Sequence, residues 1–429
     1  MLECNRHSPR AMKCRSQKKR ALLPWKRGWI LLGLLAASQL LGQDQVDIRT
    51  TPYLPFAEPD PAEYNIRWGR LRARLKGSSQ FEYNNNINLS SNARESDVSI
   101  GPFVGVGFIW PTKNNQIMEF NIEGGYRWYL RNSDLSSFDI SPNSRLSHAF
   151  TVKGINFVAW DQISVAVDPT GQAEISGGGG LLNFRRFNNS AGLIASLRPF
   201  EKTTLTANYS FTTDRSITEQ FTNLDRNVHT FGTGAYVQLS PRWTTGLDAQ
   251  YAVTRYQENV QNDGESFQIG PLAIYRPTKH LYFRGSLAYQ FLNFDPTGTI
   301  VDVGNTEALV YDLAANHTIN KRWTQSAHVR KFVGPGVGSN FSDILSFQYG
   351  LNHVWAKKMT LNGRLAYEKI TPSGITSKSD RVLATIATSA QLSKDWTTGL
   401  RYSYAFKDAE VNVQDYQQHR VTLELNRLF

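Results

Sequence analysis

Two-residue alternation of apolar and polar side chains, restarted again and again from residue 69 to the C-terminus, is what most constrains this chain. In the first such segment Leu71, Ala73, Leu75, Gly77, Phe81 and Tyr83 share one parity, and Arg72, Arg74, Lys76, Ser78, Gln80 and Glu82 the other. In the third, Met118, Phe120, Ile122, Tyr126, Trp128 and Leu130 alternate with Glu119, Asn121, Glu123, Arg127 and Arg131. A helix repeats every 3.6 residues and cannot sort these side chains onto two opposite faces, whereas a β-strand does so by its pleat. A soluble sandwich strand with one wet face shows the same pattern in any single segment. The way the segments are joined decides between the two.

Eighteen segments read as strands, near 69–83, 97–110, 116–131, 145–153, 156–167, 188–198, 203–213, 227–239, 244–256, 266–276, 281–292, 306–319, 324–333, 342–354, 359–370, 381–392, 397–406 and 416–429. Sixteen is the alternative, because Lys153-Gly154 is a weak turn signal and the alternation blurs around it. The connections alternate in length. Pro111–Asn115, Pro199–Lys202, Ser240–Trp243, Pro277–His280, Asn320–Trp323, Trp355–Lys358 and Ser393–Trp396 are short, and polar loops of roughly ten to twenty residues lie between them. A transmembrane barrel with both chain ends in the periplasm has this rhythm of short periplasmic turns and longer outward loops. The expected fold is therefore all-β, a transmembrane antiparallel β-barrel of about eighteen strands.

Bulk properties fit. Mean hydropathy is −0.40, and no apolar run long enough for a membrane helix follows the first 45 residues, which excludes a helical membrane protein. A barrel hides its hydrophobicity by alternating it with a polar lumen. Residues 1–42 read as a cleaved signal peptide, with nine basic side chains before the apolar stretch Trp29 to Ala37 and small residues at Ser38 and Gly42. Met1 or Met12 is the start. Without residues 1–42 the net charge falls from +11 to about +3, so the basic balance belongs to the leader and gives no reason to expect nucleic-acid binding. Both cysteines, Cys4 and Cys14, lie there too, which leaves neither a disulfide framework nor a thiolate metal site. Residues 43–66, with Pro52, Pro55, Pro59 and Pro61, form a Pro-rich periplasmic lead-in, and 67–429 the barrel.

Strand ends carry further signals. Trp243, Trp323, Trp355 and Trp396 recur beside lysine or arginine at the short turns and read as an interface girdle, since indoles and snorkelling lysines suit a membrane boundary. Tyr83, Trp128, Tyr209, Tyr256, Phe291, Tyr367 and Tyr404 mark the opposite boundary. In the last segment His419, Val421, Leu423, Leu425 and Phe429 face one way, and Arg420, Thr422, Glu424 and Asn426 the other. A strand ending on an aromatic is the C-terminal assembly signal expected by the barrel-assembly machinery, with Arg427 as a departure on the lipid-facing parity.

Residues 81–91 (FEYNNNINLSS), 157–171 (FVAWDQISVAVDPTG) and 188–212 (NNSAGLIASLRPFEKTTLTANYSFT) resemble the second β-barrel porin family, bacterial outer-membrane proteins often associated with exopolysaccharide export systems. The resemblance covers most of the chain after the leader and rests on turn and strand patterns. It implies an outer-membrane barrel and carries over no catalytic or ligand-binding residue.

The polar parity supplies the pore-lining candidates Arg72, Arg74, Lys76, Glu119, Glu123, Arg127, Arg131, Arg198, Arg284, Arg330, Arg364, Arg401, Arg420 and Glu424, with Arg276, Glu82, Asp248, Asp312 and Glu368 on the same faces. Basic side chains number twelve against seven acidic. Fixed positive charge in a narrow channel favours anions, unless the charges pair across strands. The loop 168–187, with Gly177–Gly180, Glu174, Arg185 and Arg186, either folds inward as a constriction or stays on the surface. Histidines are scattered one per segment, Asn262-Asp-Gly-Glu265 reads as a turn, and no Gly-x-Ser-x-Gly elbow or His-Glu-x-x-His helix occurs. No catalytic, cofactor or metal site is expected. The leading function is a porin-like channel for passive or export-coupled passage of small hydrophilic solutes or saccharides. The alternative is a plugged structural barrel that anchors surface polymer or a protein partner. Expected partners are outer-membrane lipid, the assembly machinery and polysaccharide-export or periplasmic components.

Overall fold

The computed structural model describes residues 64–113, 116–167, 184–300, 302, 304–336, 339–356, 358–374, 378–411 and 414–429. The leader, most of the lead-in and most of the glycine-rich loop lie outside the described residues. A short strand β1 (Ile66–Trp68) precedes eighteen long ones: β2 (Leu71–Asn84), β3 (Asp97–Lys113), β4 (Gln116–Tyr129), β5 (Ser137–Val152), β6 (Ile155–Val167), β7 (Arg185–Phe200), β8 (Thr203–Ser216), β9 (Arg226–Gln238) and β10 (Trp243–Tyr256). Then follow β11 (Gly264–Tyr275), β12 (Leu281–Phe294), β13 (Thr306–Thr318), β14 (Trp323–Pro335), β15 (Phe341–Ala356), β16 (Met359–Pro372), β17 (Ser379–Gln391), β18 (Trp396–Ala409) and β19 (Tyr416–Leu428). Each long strand pairs antiparallel with its chain neighbours, and β19 pairs with β2 from Arg420↔Asn84 to Leu428↔Lys76. Closure satisfies the backbone of every long strand and removes the edges of an open sheet.

The two parities face different surroundings. Leu247, Leu313, Phe347, Leu365, Ile386 and Leu400 are exposed on the outside, while Ser346, Ala366, Thr422 and Gln290 are buried on the inside. The outer apolar surface is too continuous for a water-soluble protein. Asp161 is an exception, exposed between Phe157 and Val165 on the outer face of β6, where it accepts a hydrogen bond from Asn189 Nδ2 at 2.6 Å.

All eighteen predicted strands are present, but the fourth starts earlier than expected, at Ser137. Register shifts between Asn121 and Gly124 and between Ile140 and Ser144 push Ser141-Pro142-Asn143 out of the ladder. Proline cannot donate to a ladder, so it sits at a bulge, and in sequence the bulge imitates a turn. Lys153 and Gly154 have φ of +50° and +82°, and they join the paired Val152 and Ile155 as a two-residue hairpin turn. The short connections all lie at one end. At the other end several connections are shorter than predicted, down to residues 336–340, because the strands run on beyond the outer apolar belt.

The seam between the first and last strands explains Arg427. Its guanidinium lies 5.3 Å from the Trp396 ring centre and 4.6 Å from that of Phe429, so aromatic faces receive the charge. Phe429 reaches back over Gly77, where a Cβ would come within 3.1 Å of its ring. Its N–H donates to Leu75 O at 2.9 Å. Below this point β1 takes over the free edge of β2, pairing Ile66 with Ala73, and Asn65 Nδ2 donates to Phe429 O at 2.9 Å.

Trp243, Trp323, Trp355 and Trp396 stand at the short-turn end. Trp243 stacks on Tyr275 at 4.2 Å and Trp323 on His353 at 3.8 Å. Trp355 is 66% exposed. At the loop end a motif recurs that the sequence reading did not isolate. Tyr251, Tyr289 and Tyr367, each five residues before its strand ends, donate to Glu265, Glu307 and Asp380 on the next strand at 2.7, 2.5 and 2.8 Å.

Candidate functional site: the lumen

Charged side chains on the inner parity come together in three sectors. On β2, β4 and β5, Arg74 donates to Asn121 Oδ1 at 2.6 Å, Lys76 Nζ lies 3.6 Å from Glu123, and Arg145 lies 3.8 Å from Glu119. Tyr64 closes this sector at the short-turn end. It is 3% exposed, with the Arg74 guanidinium 5.1 Å from its ring centre. Burial, reinforced by the Glu119 carboxylate, pushes its hydroxyl up to about 12, so it stays neutral in the mouth of the barrel. Higher on the same wall Arg127 Nε meets Asp139 at 3.2 Å.

The second sector spans β9 to β14. The Tyr236 hydroxyl donates to Asp248. Arg284 stands close enough to both Asp248 and Asp312 to act on them electrostatically. Asp312 Oδ2 is 3.1 Å from His328 Nε2 and 3.9 Å from Arg330 Nε, and the Arg330 guanidinium lies 4.2 Å from the Phe332 ring centre. In the third sector, β15 to β19, Arg364 donates to Gln348, Arg401 lies 3.4 Å from Glu424, and Arg381 is bound by Glu368.

The remaining candidates are peripheral. Arg72 and Arg198 are exposed near the short-turn end, Arg276 lies against Tyr282 in a turn, and Arg420 is half-buried on the inner face of β19. Arg131 lies past the end of β4, with its N–H on Asp97 Oδ1 at 3.1 Å and its guanidinium on Ser96. Arg127, Arg330 and Arg401 thus meet a carboxylate on the neighbouring strand and Lys76 one across β3, and the basic surplus counted from sequence overstates the field.

Loops narrow the lumen at the far end. Of the loop proposed from sequence as a constriction, 168–187, residues 168–183 lie outside the described residues and Arg185 already opens β7. The connection 85–96 does fold inward. Leu89 packs on Ala366, Leu383, Ala405 and Tyr416, which belong to β16 through β19. Asn86, wholly buried, donates to Ser90 O at 2.8 Å and Gln417 O at 2.9 Å, and Gln418 Nε2 donates to Asn86 O at 2.7 Å. Beneath this latch Arg381 and Lys407 stand opposite each other, 3% and 2% exposed. Neither was among the sequence candidates. Arg381 opened its predicted strand and Lys407 fell one residue past the end of its own, although both keep the inner parity.

Two further sets of contacts hold the loops. Arg186, fully buried, donates to Asp214 at 2.7 Å, to Asp225 at 3.1 Å and to the carbonyls of Phe221 and Leu224, pinning residues 217–225 under Phe184. Asn262 Nδ2 donates to Asp302 O at 2.6 Å and Asn340 Oδ1 at 3.0 Å, so the expected turn at 262–265 also ties neighbouring loops together. Burial alone would raise the Asp302 carboxyl. Hydrogen bonds from Ser373 Oγ and from the N–H groups of Asn340 and Gly304 outweigh it and hold the group below the usual carboxylate value. Among the described residues no group of His, Cys, Asp or Glu is placed to hold a metal ion.

No family model matches the chain, and no curated protein does. Among solved structures it is similar to Pseudomonas aeruginosa OccK2 (OpdF), with 9% identity over 84% of this chain and 98% of that one and a TM-score of 0.49. It is similar to P. aeruginosa OccK1 (OpdK), with 13% identity over 83% and 99% and a TM-score of 0.48. With Acinetobacter baumannii OccAB3 the identity is 10% over 83% and 99%, and the TM-score 0.47. At these values the architecture rests on the closure of the sheet itself.

Proposed function

We propose that the chain is a porin-like channel of a bacterial outer membrane, passing small hydrophilic solutes or saccharides by passive or export-coupled diffusion. One observation carries the reading: a closed wall of eighteen strands turns an apolar, aromatic-rimmed face outward and a charged face inward. Such a wall separates lipid from water, and a barrel of this strand number is wide enough for an aqueous path. The charged sectors act by field and diameter, without bond chemistry. Association with outer-membrane lipid, assembly through Phe429, and contact with periplasmic or polysaccharide-export components belong to the same proposal; the export link rests on the family resemblance alone.

The inward latch at 85–96 favours a second reading, a plugged barrel that anchors surface polymer or a protein partner. Single-channel recording in a planar bilayer separates the two. Stable conductance steps are expected from the mature chain in KCl. A folded, heat-modifiable barrel that never conducts would replace the channel with the anchoring role.

A further inference from the structure

Histidine is the side chain whose ordinary pKa falls between pH 5 and 8, so its position decides whether a channel senses pH in that range. Among the described residues His148, His229, His317, His353 and His419 lie on outward parities, beside exposed Leu146, Phe231, Leu313, Phe347 and Val421 on the same strands. His280 lies in a turn. His328 alone faces the lumen, on β14, paired with the inward Ala314 of β13 and with Gln348 of β15.

We propose that His328 sets the ion preference of the lumen: when it binds a proton, a charge-balanced patch of wall becomes cationic and the channel turns toward anions. The inference rests on the channel reading and names its regulation. The groups around His328 are known from every packed element. Asp312 of β13 has Oδ2 at 3.1 Å from Nε2, and Arg330 of β14 shares that oxygen at 3.9 Å. Arg284 of β12 pairs with Ala314, opposite His328, and acts on both Asp312 and Asp248 of β10. On the other side Gln348 of β15 accepts from Arg364 of β16, and Ser346 donates to Glu368, which Arg381 binds.

With His328 neutral, Asp248 and Asp312 balance Arg284 and Arg330. Carboxylates titrate near pH 4 and arginine not at all in the working range. Within this patch His328 is therefore the side chain of a type that ordinarily takes up a proton between about pH 5 and 8. The imidazolium shares the Asp312 carboxylate with Arg330, and the patch as a whole gains one positive charge. One elementary charge about 6 Å from a passing ion, in a water-like and partly screened medium, changes relative permeability about three-fold.

The test is the reversal potential of the full mature protein in planar bilayers under a KCl gradient, at about pH 7.5 and pH 5.5. Wild type should shift toward chloride about three-fold on acidification. His328→Gln should hold the neutral-pH value at both, and His328→Arg should favour chloride at both. Folding of each variant is read from its heat-modifiable mobility. A wild-type permeability ratio that ignores pH, or a shift that survives in His328→Gln, overturns the inference and leaves the channel standing. A folded wild type with no conductance sinks the channel reading and this inference with it.

Discussion

Shortening Leu89 to alanine should release the inward connection without unfolding the barrel. Leu89 is 7% exposed, in one apolar cluster with four wall residues. Its backbone has φ of +48°, which costs a leucine roughly 1–2 kcal/mol and is held by those contacts. Cutting the isobutyl group back to methyl loses about 2–3 kcal/mol, the low end of the buried-leucine range because the cluster borders the lumen. The hydrogen bonds of Asn86 survive the change, so the connection loosens instead of dissolving. At 1.4 kcal/mol per factor of ten, its open population should rise about 30- to 150-fold.

Trypsin reads that population at Arg94, whose side chain is exposed. The backbone around it is pinned by Asn88, which donates to Ala93 O at 2.6 Å and accepts from the Glu95 N–H at 3.2 Å. A protease needs several residues drawn out, so cleavage follows the open fraction when closing is fast. Mass spectrometry of the Arg94–Glu95 cut gives the rate for each variant. Leu89→Met keeps the apolar volume and should stay within about ten-fold of wild type. A Leu89→Ala rate within about three-fold of wild type, with the barrel still heat-modifiable, would refute the latch.

Replacing Arg186 with methionine leaves Asp225 buried without its paired cation and Asp214 with Arg226 alone, at 3.4 Å, and the urea midpoint should fall by the equivalent of about 3–5 kcal/mol. An unchanged midpoint would show that packing of Phe184 and Leu224 suffices. Gly154→Ala forces a side chain onto φ of +82° and should cost about 1–2 kcal/mol in the same assay, while Lys153→Gly should cost nothing. Asp302 makes a pH-dependent knot. Its folded pKa is depressed, so its stabilisation is present above the ordinary carboxylate range and disappears as pH falls through the folded value. The opening free energy from amide exchange at Asn340 should therefore decline below about pH 4 in wild type. In Asp302→Asn it should be low and flat, and a wild-type profile equally flat would remove Asp302 from the knot.

Strand number, inward and outward faces, the short-turn end and the tryptophans there follow from local sequence. A pleated strand sorts its side chains with a period of two whatever it pairs with, and the same two solvents, lipid and water, act on every strand. That is why Arg74, Lys76, Glu123, Arg284 and Arg401 were identifiable one strand at a time. The reading failed at Ser141-Pro142-Asn143, where a bulge broke the period, and at Lys407, where the strand ran past the residues that alternate clearly.

Who meets whom was settled by closure and register. Leu89 touches residues some three hundred positions later because β19 returns to β2. His328 reaches Asp312 because β13 and β14 pair in one register and not the next. Arg427 meets the Trp396 face because β18 and β19 pair these two positions. A periodic pattern determines which way a side chain points; only the hydrogen-bonded register determines which side chain on the next strand, or which loop across the lumen, it finds there.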